Sequence, residues 1–342
     1  MIDLLVAGAG LVGRRHVEAV GAVEGVRVTM IADPSADARI FAGEAGAAWA
    51  PSLEAALADI RPDGIVLATP NQLHVEDGLR AVAAGIPCLI EKPIATSASE
   101  GQELVDAAAR AGVPLLVGHH RRHNPLMAAA KQAIDEGQLG DIVTSHGMFW
   151  LFKPDDYFDA PWRRAQGAGP VFVNLIHDID LLSWLVGSIT EVQARTSNRT
   201  RGHQIEDTAA ILLTFENGAL GTFSVSDTVV APWSWELTAG ENPVYPHTAE
   251  PCYWIGGTHG SLDLPQNRIW RHDGARSWWE PIVHSSIPSE PADPLLRQIE
   301  NFRDVILGEA EPVVSGEAGL SALRVIEAVH ASAYSGAPVH TD

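Results

Sequence analysis

Ile2-Asp3-Leu4-Leu5-Val6-Ala7-Gly8-Ala9-Gly10-Leu11-Val12-Gly13 begins as a short apolar strand, turns on glycines, and runs into a helical stretch from Arg14 to about Val23. The three glycines have separate tasks. Gly8 permits a tight turn, Gly10 lets backbone approach a pyrophosphate, and Gly13 lets the helix pack closely on the strand. The N–H groups at the helix N-terminus then face the anion. A G-x-G-x-x-G run alone is weak evidence, but a second apolar strand, Val26 to Ala32, ends in Asp33. That is about twenty residues on, where an acid meets the ribose hydroxyls of an adenosine. A carboxylate there repels a 2′-phosphate, so NAD is expected rather than NADP.

Working outward, the strand and helix alternation continues. A helix near Leu53 to Ile60, a strand from Gly64 to Ala68, a helix from about His74 to Ala84, a strand through Ile90, a helix from Ser99 to Ala111 and a strand from Pro114 to Val117 follow in turn. This predicts an α/β Rossmann domain with a parallel sheet over residues 1–121. Ligands of such sheets bind at the carboxyl ends of the strands, where Thr69-Pro70-Asn71 and Glu91-Lys92-Pro93 both fall. Asn71 suits either a cap for the next helix or a cofactor contact, and the two are compatible. Glu91-Lys92-Pro93 suits either a surface turn or a catalytic corner, with the proline fixing φ and able to take a cis bond. The expected cofactor contacts are Gly8, Gly10, Leu11, Val12, Gly13, Asp33, Thr69, Pro70, Asn71, His74, Glu91 and Lys92.

The polar group His119-His120-Arg121-Arg122-His123-Asn124-Pro125 interrupts the apolar pattern. No nearby acid or cysteine completes a metal set, so an interdomain junction lined with donors is expected, with His120 and Arg122 as substrate contacts. Residues 122–342 then change character. After a helix from Leu126 to Glu136 come aromatic-rich, strand-like segments: Ile142 to Leu151, Ile189 to Thr196, Thr208 to Phe215, Ala219 to Asp227 and Trp233 to Ala239. Glu216-Asn217-Gly218 separates two of them at hairpin distance, which predicts an α+β domain with a mostly antiparallel sheet. Pro294 to Leu307 and Gly316 to Tyr334 have helical apolar faces.

Composition narrows the class. The 342 residues suit two domains, and 46% apolar residues can build a core in each. A net charge of −20 repels nucleic acid and anionic membranes, so neither is an expected partner. Cys88 and Cys252, far apart, suggest no disulfide framework and no zinc site. No apolar run reaches membrane-spanning length and the N-terminus lacks a basic leader region, so a cytoplasmic location is expected.

Taken in order, Gly8-x-Gly10-x-x-Gly13 with His16, Thr69-Pro70-Asn71, Glu91-Lys92-Pro93, Arg122-His123-Asn124-Pro125 and His177-x-x-Asp180 resemble the Gfo/Idh/MocA oxidoreductases, and Gly257 to Leu262 extends the match. The resemblance implies NAD as cofactor, a small sugar, polyol or sugar-acid substrate, and a large, open C-terminal sheet used in homodimer or homotetramer contacts. It also implies that Lys92 hydrogen-bonds the reacting hydroxyl and that His177 is the general base. Spacing alone leaves His177 as either a satisfied histidine or a base oriented by Asp180. The family's Asp four residues before this histidine is Val173 here. Asn174, beside it, offers the substrate an amide, which cannot take a proton. The family's Trp-Arg pair near cofactor or substrate corresponds to Trp162 and Arg163. The expected activity is hydride transfer between a secondary alcohol and NAD. Its rivals are a carbonyl reductase on the same substrate class and, because of Val173, a non-catalytic NAD-binding sensor.

Overall fold

The computed structural model describes every residue except Gln166 and Asp342. Two compact units emerge: Met1–Asn124 with Ala292–Leu323, and Pro125–Pro291 with Arg324–Asp342. The expected single boundary, after Arg121, contains no return segment. The units instead divide after Asn124, and the chain comes back to the first of them late.

In the first unit, six short strands are β1 (Ile2–Ala7), β2 (Val26–Ala32), β3 (Ala48–Ala50), β4 (Gly64–Leu67), β5 (Cys88–Ile90) and β6 (Leu115–Val117). All neighbouring pairs are parallel, in the order β3-β2-β1-β4-β5-β6. The order reverses between β1 and β4, and the crevice beyond the carboxyl ends at such a point is where doubly wound folds bind nucleotides. Between the strands run α1 (Leu11–Ala22), α2 (Ala36–Glu44), α3 (Leu53–Asp59), α4 (His74–Ala83) and α5 (Ala98–Ala111). Ser35, Ser52 and Ser97 start α2, α3 and α5 by accepting a backbone N–H on their hydroxyls, and Gly112, at φ 64°, ends α5. β3 escapes the sequence reading because Ala48-Trp49-Ala50 is too short to show a period.

The second unit contains α6 (Pro125–Asp135), β7 (Ile142–Trp150), α7 (Ile176–Leu185), β8 (Ile189–Ser197), β9 (Thr208–Phe215), β10 (Leu220–Ser226), α8 (Trp235–Thr238), β11 (Tyr253–Gly257), β12 (Ser261–Leu264), β13 (Arg268–His272) and β14 (Ile282–Ser286). Its sheet has the order β14-β13-β12-β11-β7-β10-β9-β8-β15, where β15 is Val339–His340. Among the described residues only the β7–β10 pair of this sheet is parallel. The α/β plus mostly antiparallel α+β reading is therefore correct. One segment differs: Trp233 to Ala239, expected as a strand, holds the single helical turn α8. The Thr238 hydroxyl donates to the Ser234 carbonyl at 2.8 Å and the Trp235 indole donates to Glu241 at 2.7 Å, so local bonds override an aromatic strand-like composition.

The returning segment supplies α9 (Pro294–Leu307) and the start of α10 (Gly316–Ser335). Ile299, Phe302 and Val305 of α9 share one core with Leu4, Val6, Val20 and Val66 of the first unit. Apolar burial of this kind contributes about 25 cal/mol per Å² removed from water, which explains why the first unit recruits a helix so distant in sequence. No helix among the described residues is long and apolar enough to cross a membrane.

Candidate active site

The glycine turn is built as its spacing requires. A Cβ on Gly13 would lie 2.0 Å from the Gly8 carbonyl oxygen, and one on Gly8, at φ 91°, would lie 2.3 Å from the Ala68 carbonyl oxygen. Gly10 is different, because a Cβ there would meet nothing within 4 Å. The first turn of α1 has no side-chain cap, so its N–H groups and the open space above Gly10 suit an anionic ligand. Asp33 leaves β2 beside this turn. Its two oxygens accept the Ala9 and Ser35 N–H groups, each at 2.8 Å. Burial pushes the Asp33 carboxyl up, but bonds from Ser35 and Ala9, with Arg14 nearby, outweigh that and hold it below its ordinary value. It is thus an ionised acceptor with lone pairs left for hydroxyls. These residues fit the adenosine and pyrophosphate of a dinucleotide.

Two further loops of this edge are tied together. His74, fully buried, sets one ring nitrogen 2.7 Å from the Pro93 carbonyl and the other 2.9 Å from the Thr69 carbonyl. Both ring nitrogens face backbone carbonyls, so His74 braces the Thr69 and Pro93 loops. Asn71 lies in a 3-10 turn before α4 and caps neither element, which removes the capping reading. The Thr69 hydroxyl donates to Asp77 at 3.2 Å. The Lys92–Pro93 peptide is cis.

Next to Lys92 in the chain, Glu91, expected as a cofactor contact, pairs with His16, which the sequence marks only as a motif member. His16, buried in α1, places Nε2 2.7 Å from Glu91 Oε1. Burial pushes the Glu91 carboxyl up, yet the His16 bond and charge, followed by Lys92, dominate and bring it to about 2. Gly118 makes room for this pair, since a Cβ there would lie 3.0 Å from the Glu91 carboxylate. The strand-end corner is therefore bolted to the helix that carries the glycine turn. His120, after β6, is pushed down to about 3, chiefly by burial and then by Arg121, so its imidazole is neutral at physiological pH. Arg122 lies in the same short 3-10 turn, His120–His123.

In the second unit, α7 is entered through a π-helical turn, Val171–Leu175, a wide turn of the kind often found at functional sites. The Glu206 carboxylate accepts the Val171 N–H at 3.0 Å, and Gly169 makes space for it, since a Cβ there would lie 2.1 Å from that carboxylate. His177 and Asp180 both lie in the first two turns of α7 and are buried. Tyr253 donates its hydroxyl to Asp178 between them. Asn174 accepts a bond from Lys153, whose Nζ lies 2.8 Å from its Oδ1. Trp162 is 60% exposed, whereas Arg163 donates to the Tyr157 carbonyl at 2.7 Å and lies over the Tyr157 ring at 4.2 Å. Trp162 therefore has an available face, and Arg163 is partly occupied.

Comparison with known proteins decides the family. Residues 2–119 match the model of an oxidoreductase family with an NAD-binding Rossmann fold, and residues 127–263 match the Gfo/Idh/MocA C-terminal domain. The chain belongs to the Gfo/Idh/MocA oxidoreductases. As a member of this oxidoreductase family it carries an NAD-binding Rossmann domain as its first unit. Among its relatives, 1,5-anhydro-D-fructose reductase of Ensifer adhaerens is 26% identical over 332 residues, covering 96% of this chain and 95% of that one. D-apiose dehydrogenase of Paraburkholderia graminis is 27% identical over 346 residues, covering 97% and 88%. The WlbA dehydrogenase from Bordetella pertussis, solved in complex with NADH and UDP-GlcNAcA, superposes with a TM-score of 0.77 at 26% identity, covering 99% and 98%.

Proposed function

We propose that this oxidoreductase transfers a hydride between a secondary alcohol of a sugar, polyol or sugar acid and the nicotinamide of NAD. The observation that carries this reading lies within the first unit: Lys92 leaves β5 on the same strand-end edge as the open helix N-terminus at Gly10 and the ionised Asp33. NAD, when bound, accepts or returns the hydride. Asp33 binds the ribose hydroxyls and disfavours a 2′-phosphate, Thr69, Pro70 and Asn71 line the same edge, and Glu91 and His74 hold its loops in place. Lys92 stabilises the alkoxide that develops as the C–H bond breaks, and His177 takes the hydroxyl proton. Asn174, Trp162, Arg163, His120 and Arg122 are the proposed substrate contacts. The sugar-derived names of the relatives support the substrate class, and the first of them, a reductase, favours the carbonyl-to-alcohol direction as a second reading.

The second unit is the proposed oligomerisation surface. Leu212 on β9 and Leu220 on β10 are 53% and 60% exposed on the sheet, which supports a homodimer or homotetramer.

The test is absorbance at the reduced-nicotinamide band with NAD or NADP and a panel of sugars, inositols and aldonic acids. Turnover with NAD is expected, with Lys92→Ala slowing it by about 100- to 1000-fold while NAD still binds. Loss of NAD binding in that variant would make Lys92 a binding residue. Silence of the native protein across the panel would overturn the enzymatic reading.

A further inference from the structure

Lys153 follows β7 and is buried, yet it is an ammonium with donors only. Its Nζ lies 2.8 Å from Asn174 Oδ1, 3.9 Å from Asp227 Oδ2 and 5.1 Å from the centre of the Tyr157 ring. Arg201 locks the surrounding backbone. Its Nε donates to Asp227 Oδ1 at 2.8 Å, and its Nη2 donates to the carbonyls of Lys153 and Asp227 at 2.7 and 2.6 Å. The Lys153 N–H in turn donates to the Asp227 carbonyl at 2.9 Å. Burial pushes the Lys153 ammonium below its ordinary value, and Asp227 is the first of the charges that hold it up.

A donor-only partner decides which way the Asn174 amide faces. A flipped amide would set its own N–H groups against the ammonium and leave Lys153 without an acceptor there, so the oxygen points inward. The Asn174 Nδ2 has no hydrogen-bond partner among the described residues, and Asn174 is half-exposed. It lies in the π-helical turn, three residues before His177. Val173, the preceding residue, has no polar side-chain atom. The turn therefore presents one oriented donor.

We propose that Lys153 is a positioning residue that locks Asn174 as a hydrogen-bond donor reserved for an oxygen acceptor on the substrate, such as a carboxylate, a carbonyl or a ring oxygen. This rests on the reading of the α7 entrance as substrate-binding. Asn174 then reads a lone pair on the substrate and does not accept a hydroxyl proton. The Lys153 charge, itself offset by Asp227, polarises the amide toward that acceptor.

Two measurements test it. With a substrate found in the panel, Lys153→Met and Asn174→Ala are each expected to lower kcat/KM by about tenfold or more while leaving NADH affinity unchanged. The double variant should be no worse than Asn174→Ala, and Lys153→Arg should recover part of the loss. Additive losses, or full activity in Lys153→Met, would overturn the proposal. Asn174→Asp keeps a partner for Lys153 but has no proton to donate, so it should be as impaired as Asn174→Ala; native activity in it would also overturn the proposal. The second measurement needs no turnover. In protein labelled with 15N-asparagine, the side-chain amide signals of Asn174 are identified by their loss in Asn174→Ala. They are expected to be distinct in the native chain and in Lys153→Arg, and to move to the position of a freely rotating amide in Lys153→Met. Unmoved signals would refute the orientation even if no substrate were found, so failure of the positioning role is separable from failure of the enzymatic reading.

Discussion

Replacing Glu91 with Gln removes a charge from the root of the Lys92 loop and leaves His16, across a 2.7 Å contact, with a neutral partner. The native carboxyl is held at about 2 against an ordinary 4.5. At 1.36 kcal/mol per pKa unit, that depression corresponds to about 3 kcal/mol of folded-state preference for the ionised form. The sign follows from the direction of the shift. A depressed carboxyl stabilises the fold fully above its unfolded value, and the contribution disappears as pH falls from about 4.5 toward about 2. Glu91→Gln should therefore lose about 3 kcal/mol of unfolding free energy at pH 7.5 and a smaller amount at pH 3. Urea unfolding of both proteins at the two pH values measures the difference. A loss within about 0.5 kcal/mol of zero at pH 7.5, the usual range for substitutions without a structural role, would refute the buried-pair argument. So would a loss of the same size at both pH values, because it would reflect packing and not charge.

Other consequences follow from the same edge. Asp33→Ser should weaken NAD binding by about 100-fold, from the loss of charge-assisted bonds to two hydroxyls, and narrow the preference over NADP. Isothermal titration with both cofactors reads this, and unchanged NAD affinity would exclude Asp33 as the ribose acceptor. Gly10→Ala and Gly13→Ala should separate binding from stability. The first adds a methyl to open space and should weaken NAD binding with little change in melting temperature. The second drives a methyl toward the Gly8 carbonyl, 2.0 Å from the ideal Cβ, and should lower the melting temperature markedly. Equal melting temperatures for the two would contradict the geometry.

Local physics made much of this protein legible from its sequence. A glycine turn, an acid after the second strand and a proline-stopped lysine depend on backbone freedom and short spacing, so Gly8, Gly10, Gly13, Asp33 and Lys92 can be read in place. The hairpin at Asn217-Gly218 and the strand Thr208–Phe215 were legible for the same reason. Trp233 to Ala239 was not, because side-chain bonds to Ser234 and Glu241 outweigh composition over so short a run.

Partnerships across long sequence distances were decided only by the tertiary structure. His16 and Glu91 are 75 residues apart, and nothing near either one announces their contact. The sequence around Lys153 does not mark its partners, Asn174 and the Arg201–Asp227 pair, which meet it only in the fold. The return of α9 to the first unit likewise depends on where Ile299, Phe302 and Val305 find apolar surface. Backbone conformation is a short-range property that residues declare to their neighbours. Burial, charge pairing and the direction an amide faces are set by whichever groups the folded chain brings within a few ångströms, and for this protein those groups are distant in sequence.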